Sequence, residues 1–186
     1  MLNIISQDTL KKCAKHIKEN IKTNNNTDIL KNSDRCRHMW MQPGYYAGLS
    51  KKNSNEEYTC SNLVDKVLKD FPGQITHIDK INDNGKIIKC KDNSNIKACQ
   101  CPKGTRKGAL VVAPGKTFHF YRKDFILKNG KKVSKWNGKD GSYKPSDLDA
   151  NNELYKDPQD CSRKYSNVEY SDFCGYFCIP ENLVPV

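Results

Sequence analysis

The chain has no long apolar run. No stretch of the sequence approaches the ~20 apolar residues that a membrane-spanning helix needs. A signal-peptide core is not visible either, because the segment 1–5 is followed at once by polar residues. We therefore expect a protein without a membrane span that is kept in the reducing cytoplasm, or is packaged from there into a virion.

Arginine is scarce although the protein is basic. The formal net charge is +11, yet only 5 of the 32 basic residues are arginine. Specific phosphate recognition favours arginine, because its guanidinium binds phosphate through two hydrogen bonds. The basic excess lies in residues 79–144, with 17 Lys and Arg against 5 Asp and Glu. This segment predicts binding to a polyanion or nucleic acid; the alternative is a solvated surface whose lysines reflect codon bias.

Paired Cys-x-x-Cys ligands are absent, so a zinc ribbon is not expected. The nine cysteines are an odd number, so at least one is unpaired within a monomer. Four disulfides and one free thiol would fit an oxidising compartment, whereas nine free thiols would fit the cytosol. The nearest approach to a metal cluster consists of Cys90, Cys99, Cys101 and Cys161, whose spacing is not that of a standard metal site. We therefore predict no metal and no other cofactor.

Cys174 and Cys178 belong to an alternating aromatic segment near the end of the sequence. On one strand they would share a face, since side chains alternate between faces. They would stand about 13 Å apart, too far for a mutual disulfide.

A helix is predicted to begin at a cysteine. Thr59 is a suitable N-cap, and the apolar residues recur at helical spacing at Leu63, Val64, Val67 and Leu68. Cys60 would then lie in the first turn, where unpaired N–H groups and the helix dipole stabilise a thiolate. The thiolate is the reactive form, so Cys60 is a candidate nucleophile. The alternative is a small buried core cysteine.

The remaining pattern predicts an α+β fold in a single domain, residues 1–186, with N-terminal helices packed on a mostly antiparallel sheet. The segment 1–30 contains an amphipathic helix at 8–22. The expected strands are at 86–90, 109–114, 117–123, 131–136 and 168–179, with turns at Pro114-Gly115 and Asn129-Gly130.

The cysteine helix and two of these strands resemble the papain-like cysteine hydrolases, especially NlpC-type cell-wall peptidases and CHAP amidases. The matching residues are Cys60–Val64, Gly108–Val112, and His119 with Tyr121; Ala109 replaces the usual aspartate of the family. The resemblance implies an NlpC-like hydrolase core at 55–140, followed by a polar loop and closing strand at 141–186. It also implies a peptide or peptidoglycan-like substrate.

A second likeness covers most of the chain after residue 34. It is to proteins of no assigned function from bacteria and large DNA viruses, through Gln42-Pro43-Gly44, Ala109–Gly115, His119–Asp124, Trp136–Gly141 and Phe173–Cys178. Those proteins have a histidine in the turn where this chain has Gly138. A third catalytic histidine at that position would therefore be missing here.

The hydrolase resemblance implies roles for particular residues. Cys60 would attack the carbonyl, and His119 would take up and return the proton. The oxyanion would be held by Gln42, in an aromatic-rich turn upstream, or by the backbone N–H of Cys60. His77 is the second choice of base.

The third catalytic residue is the least determined part of this site. Asn137 ranks first, ahead of Ser134 and Asp140 on the same segment. Asp124 has the wrong strand parity to orient His119.

Two main functions are therefore open. One is a cysteine hydrolase, a thiol peptidase or amidase that uses a Cys–His dyad or triad on an amide or isopeptide bond. The other is a non-enzymatic basic protein of a virion, or one associated with nucleic acid, which retains the hydrolase fold. A thiol-based redox or metal protein is a third possibility.

Overall fold

The computed structural model describes residues 43–44, 47–49, 58–81, 87–88, 90–92, 94–138 and 145–181. The predicted N-terminal helix at 8–22 and the predicted oxyanion residue Gln42 lie outside these residues.

The predicted helix after Thr59 is confirmed. Helix α1 spans Cys60–Asp70, and the Thr59 hydroxyl accepts a hydrogen bond from the backbone N–H of Asn62 at 3.3 Å. This contact satisfies one of the N–H groups that a helix leaves unpaired at its first turn. The helix stops at Asp70 because Pro72 and Gly73 follow, and Gly73 has a positive φ of 72° that favours glycine.

Eight further elements accompany this helix in the part of the chain that the structure describes, and all the strand pairs there are antiparallel. The short strands are β1 (Thr76–His77), β2 (Lys80–Ile81) and β3 (Ile87–Ile88). A 3₁₀ turn covers Lys97–Cys99. The long strands are β4 (Thr105–Ala113), β5 (Thr117–Lys128), β6 (Lys131–Gly138) and β7 (Asp172–Pro180). The main sheet has the order β1-β7-β4-β5-β6, and β2 and β3 form a separate pair.

The two faces of the main sheet carry different layers. On the helix face, Leu110, Val112, Phe120 and Phe177 pack against Leu63 and its neighbours on α1. On the loop face, Ala109, Val111, Tyr121 and Tyr176 of the sheet pack against the polar segment 145–170, which contributes Tyr155 and Tyr170. Both layers are expected from the alternation of side chains along β4 and β5.

The predicted fold class is wrong. The described residues contain one α-helix on a five-stranded antiparallel sheet, not a papain-like α+β core with N-terminal helices. The predicted closing strand is present as β7, and it lies between β1 and β4 inside the sheet. The Cys-Ser-x-Leu-Val motif predicts an amphipathic helix correctly, but such a helix can cover a sheet of any topology.

A β-bulge in β7 changes which side chains share a face. Ala109 pairs with Tyr176 and Val111 pairs with Phe173, so β7 has one residue more than β4 over this interval. Gly175 takes a φ of +103° there. Cys174 consequently lies on the helix face and Cys178 on the loop face. The prediction that these cysteines share a face is wrong, because an extra residue reverses the alternation.

Candidate functional site

The predicted nucleophile is held in a disulfide. The Sγ atom of Cys60 is bonded to that of Cys174, and their Cα atoms are 5.0 Å apart. Cys60 lies at the first turn of α1 as predicted. Because its sulfur is in the disulfide, there is no thiol whose pKa the helix terminus could lower. In this oxidised state Cys60 cannot attack a carbonyl, since the nucleophile is the thiolate.

The predicted base, His119, lies on the other side of the sheet. It pairs with Val111, and its ring contacts those of Tyr121 and Tyr170 on the loop face at centroid distances of 4.7 Å and 5.5 Å. Cys60 packs on the helix face. The sheet separates the two residues, so the predicted Cys–His dyad is not assembled. Burial lowers the pKa of His119 to about 3, because removal from water disfavours the imidazolium.

Gly138 makes room for this histidine. A Cβ atom at position 138 would stand 2.7 Å from Nε2 of His119 and 3.2 Å from the ring of Tyr121. Position 138, which the second likeness singles out, is therefore next to His119. A larger residue there would require the imidazole to shift.

Asn137 does not orient His119. It pairs with Arg122 on β5 and faces the helix side of the sheet, where its Nδ2 atom donates to Asp124 at 3.1 Å. The carboxylate of Asp124 also accepts from Arg106 at 2.9 Å and from Arg122 at 3.0 Å. The parity argument that Asp124 cannot reach His119 is confirmed, and Asn137 belongs to the same ion-pair network.

His77, the second choice of base, lies close to the disulfide. Its Nε2 atom is 2.8 Å from the backbone carbonyl oxygen of Cys174, and its ring centroid is 4.8 Å from that of Phe177 on the helix face. A Cβ atom at Gly175 would clash with both Nε2 of His77 and Oδ2 of Asp79. The bulge thus brings a histidine and a carboxylate together beside Cys174. Sequence spacing gave no signal for this contact, since it depends on one extra residue in β7.

Three of the four cysteines that come nearest to a metal cluster in the sequence are held in disulfides. Cys90 is bonded to Cys99, and Cys101 is bonded to Cys178. No group of three potential ligands that could hold a metal occurs among the residues that the structure describes. Cys161 is the free cysteine of this part of the chain, and burial raises the pKa of its thiol to about 11. Such a thiol is mainly protonated near neutral pH and is a poor nucleophile.

A buried carboxylate that sequence reasoning missed holds two lysines on the loop face. The Oδ2 atom of Asp92 accepts a hydrogen bond from Nε1 of Trp136 at 2.9 Å and forms an ion pair with Nζ of Lys123 at 2.6 Å. Nζ of Lys107 donates to the backbone oxygen of Asp92 at 2.9 Å and lies 3.5 Å from its Oδ1. Burial lowers the pKa of Lys107, against the opposing effect of Asp92. This cluster neutralises part of the basic segment inside the protein.

Three exposed lysines lie close together on the β5–β6 hairpin, and other exposed lysines occur singly elsewhere, as at Lys103, Lys116 and Lys156. We call residues 125–134 the arm; it comprises the end of β5, the turn and the start of β6, and every residue in it is exposed. Asn129 and Gly130 both have positive φ, 52° and 73°, which is the geometry of a type I′ hairpin turn. The predicted Asn-Gly turn is confirmed.

The arm has three lysines and no acidic residue. Lys128 pairs across the hairpin with Lys131, next to the turn, and Lys132 pairs with Leu127. None of these lysines forms an ion pair with a described residue, whereas Lys135, just beyond the arm, is paired with Asp147. The Nζ atom of Lys132 lies 4.2 Å from the centroid of the Phe125 ring. The arm is therefore a region of uncompensated positive charge.

Comparison with known proteins gives this arrangement no precedent. No protein-family model matches the chain, and no curated protein or solved structure is similar to it. Both likenesses described from the sequence accordingly stay predictions. No helix within the described ranges is long and apolar enough to cross a membrane.

Proposed function

We propose that this protein is a non-enzymatic, disulfide-bonded binding protein that recognises a polyanion with the lysines of the arm. The observation that carries the proposal is the contrast between two sets of lysines. Lys107, Lys123 and Lys135 have carboxylate partners inside the fold. The arm lysines 128, 131 and 132 are exposed and lack such partners among the described residues.

This distribution favours binding over packing as the role of the arm. Three like charges at one hairpin tip repel each other, because Lys128 and Lys131 lie directly opposite on adjacent strands. A bound polyanion would remove this repulsion and release its own counterions. Within the predicted basic segment 79–144 we propose the arm as the binding site, because its three lysines lie close together, whereas Lys107 and Lys123 are engaged by Asp92.

The disulfides support a structural role for most of the cysteines. Two bridges tie β7 to α1 and to the segment before β4, at sequence separations of 114 and 77 residues, and the third closes a loop of 9 residues. Disulfides of this kind persist in oxidising surroundings. We therefore propose that the protein works outside a reducing cytoplasm, on a virion or in an extracellular setting.

The test uses a double-stranded DNA oligonucleotide as the model polyanion, with affinity measured as a function of salt. We expect the triple variant Lys128→Gln, Lys131→Gln, Lys132→Gln to reduce the slope of log affinity against log salt by about 2.7, since each phosphate contact contributes about 0.9. The wild type would then lose about 40-fold more affinity than the variant between about 50 and about 200 mM salt.

The matched control removes the same charge elsewhere. Lys103, Lys116 and Lys156 are exposed residues outside the arm, and their simultaneous replacement by glutamine should leave the slope close to that of the wild type. Equal slopes for the two triple variants would contradict the proposal, because the binding would then follow net charge alone.

A second candidate function is favoured by the contact between His77 and Cys174. We propose that the cysteine hydrolase predicted from the sequence would act only after an external dithiol reduces the Cys60–Cys174 bond, with the dithiol oxidised to its own disulfide. Cys60 would then be the thiol at the start of α1, and His77 rather than His119 would be the base, because His77 shares the helix face.

The reactivity of Cys60 towards a thiol alkylator, after reduction and as a function of pH, tests this candidate. A Cys60 that reacts with an apparent pKa well below ~8.5, and that loses this property in His77→Gln but not in His119→Gln, supports it. If reduced Cys60 has the reactivity of an ordinary thiol, or if His77→Gln leaves it unchanged, the hydrolase candidate is wrong.

A further inference from the structure

The arm exposes apolar side chains as well as lysines. Leu127 is 79% exposed and Phe125 is 45% exposed; by strand parity both point to the loop-face side. Ile126 and Val133, 42% and 41% exposed, are a cross-strand pair on the helix-face side. Among the described residues, neither layer of the protein covers the exposed part of these side chains, so their contact with water is unfavourable.

We infer that the arm inserts its apolar tip into the surface of an anionic lipid bilayer, while its lysines bind the headgroups. The inference rests on the proposed function, because the polyanion is then the layer of anionic headgroups. It adds the chemical class of the partner and a role for the apolar residues, which polyanion binding alone does not require.

The depth of the arm fits this role. Leu127 precedes the turn residue Asn129 by two positions, so its Cα lies about 7 Å from the tip at the usual strand rise. Side chains at that distance reach the boundary between headgroups and acyl chains, where interfacial segments insert by about 5–10 Å. Lysines beside them can extend their ammonium groups towards the headgroups while their methylene stems stay in contact with the apolar layer.

The chemistry of the arm favours lipid over nucleic acid. Single-stranded nucleic acid is bound by aromatic side chains on which bases stack, and the arm has one aromatic ring, Phe125, already contacted by the Lys132 ammonium. The arm contains no arginine for phosphate or base recognition. Acyl chains can surround the aliphatic groups on both sides of the hairpin. In a duplex groove, the same groups would contact polar atoms.

The experiment is co-sedimentation of the full chain with vesicles of phosphatidylcholine alone and of phosphatidylcholine with phosphatidylserine. The informative variant is Leu127→Ser. Its control is Leu154→Ser, which removes an equally large, 62% exposed side chain from the polar segment 145–170. We expect binding to the anionic vesicles, a loss of about tenfold or more in affinity for Leu127→Ser, and no loss for Leu154→Ser.

Duplex DNA binding by the same proteins separates the two proposals. If Leu127→Ser binds DNA as the wild type does and anionic vesicles weakly, both proposals are supported. If Leu127→Ser binds anionic vesicles with the affinity of the wild type, the lipid inference is overturned. It is also overturned if the wild type binds DNA but not vesicles. In both cases the polyanion function stands. Binding to neither probe overturns both.

Discussion

The disulfide that engages Cys60 should make a large contribution to stability. We expect the double variant Cys60→Ser, Cys174→Ser to fold, and to have a lower free energy of unfolding than the wild type. A disulfide stabilises chiefly by restricting the unfolded chain, and the effect grows with the length of the loop that it closes. This bridge spans 114 residues, whereas Cys90–Cys99 spans 9.

The magnitude depends on the other bridges. With Cys90–Cys99 and Cys101–Cys178 intact, the shortest covalent path from residue 60 to residue 174 has roughly 40 residues, which corresponds to about 4 kcal/mol of chain entropy. The loop between Cys90 and Cys99 corresponds to about 2.6 kcal/mol. The double variant Cys90→Ser, Cys99→Ser is therefore the matched comparison, with the smaller expected loss.

Urea unfolding without reductant, followed by tryptophan fluorescence, measures both losses. Trp136 is 2% exposed, so its emission should report the loss of the core. A non-reducing peptide map of the wild type checks the connectivity. If removal of Cys60–Cys174 costs less than removal of Cys90–Cys99, the loop-entropy argument is wrong. Recovery of Cys60 as a free thiol in the map would contradict the bridge itself.

Three further predictions concern the loop face and its buried groups. Asp92→Ala should destabilise the protein by about 3–5 kcal/mol, because it leaves Lys107 and Lys123 without their buried partner; denaturant unfolding should show a smaller loss for Asp92→Asn. His119 has a folded pKa of about 3 against 6.5 when unfolded, so its stabilising effect is complete above pH 6.5 and is lost as pH falls towards 3. This loss should amount to about 1.4 kcal/mol per pH unit, and His119→Leu should remove it from the pH profile of stability; identical profiles would contradict the assignment. Gly138→Ala should cost about 1–3 kcal/mol through the contact with His119, and a thermal midpoint equal to that of the wild type would refute this.

Local structure could be predicted where the signal lies in neighbouring residues. The N-cap Thr59, the stop at Pro72-Gly73 and the Asn129-Gly130 turn are each specified by side chains or φ angles within a few positions. The strands β4, β5 and β6 are expected from the apolar run at 109–113, the alternation at 117–122 and the turns at Pro114-Gly115 and Asn129-Gly130. These elements form as expected because their determinants are local.

The candidate site could not be predicted by the same route. Cys60 and His119 occur in the order and on the element types that a hydrolase resemblance requires, yet they face opposite layers of the sheet. Parity along β5 shows which neighbours share a face with His119, but not which face α1 covers. That choice depends on packing between elements that are far apart in sequence, and a short motif carries no information about it.

The sequence by itself determined the positive charge, the amphipathic α1, the Asn-Gly hairpin and the odd number of cysteines. Only the tertiary structure decided which cysteines pair, which side of the sheet His119 faces and which lysines stay without a carboxylate. For the cysteines, the bulge at Gly175 in β7 is decisive, because it puts Cys174 on the helix face beside Cys60 and Cys178 on the loop face. One extra residue in a central strand reverses the side-chain alternation. The bulge forms only when β7 pairs with β4, so no local pattern in the sequence predicts it.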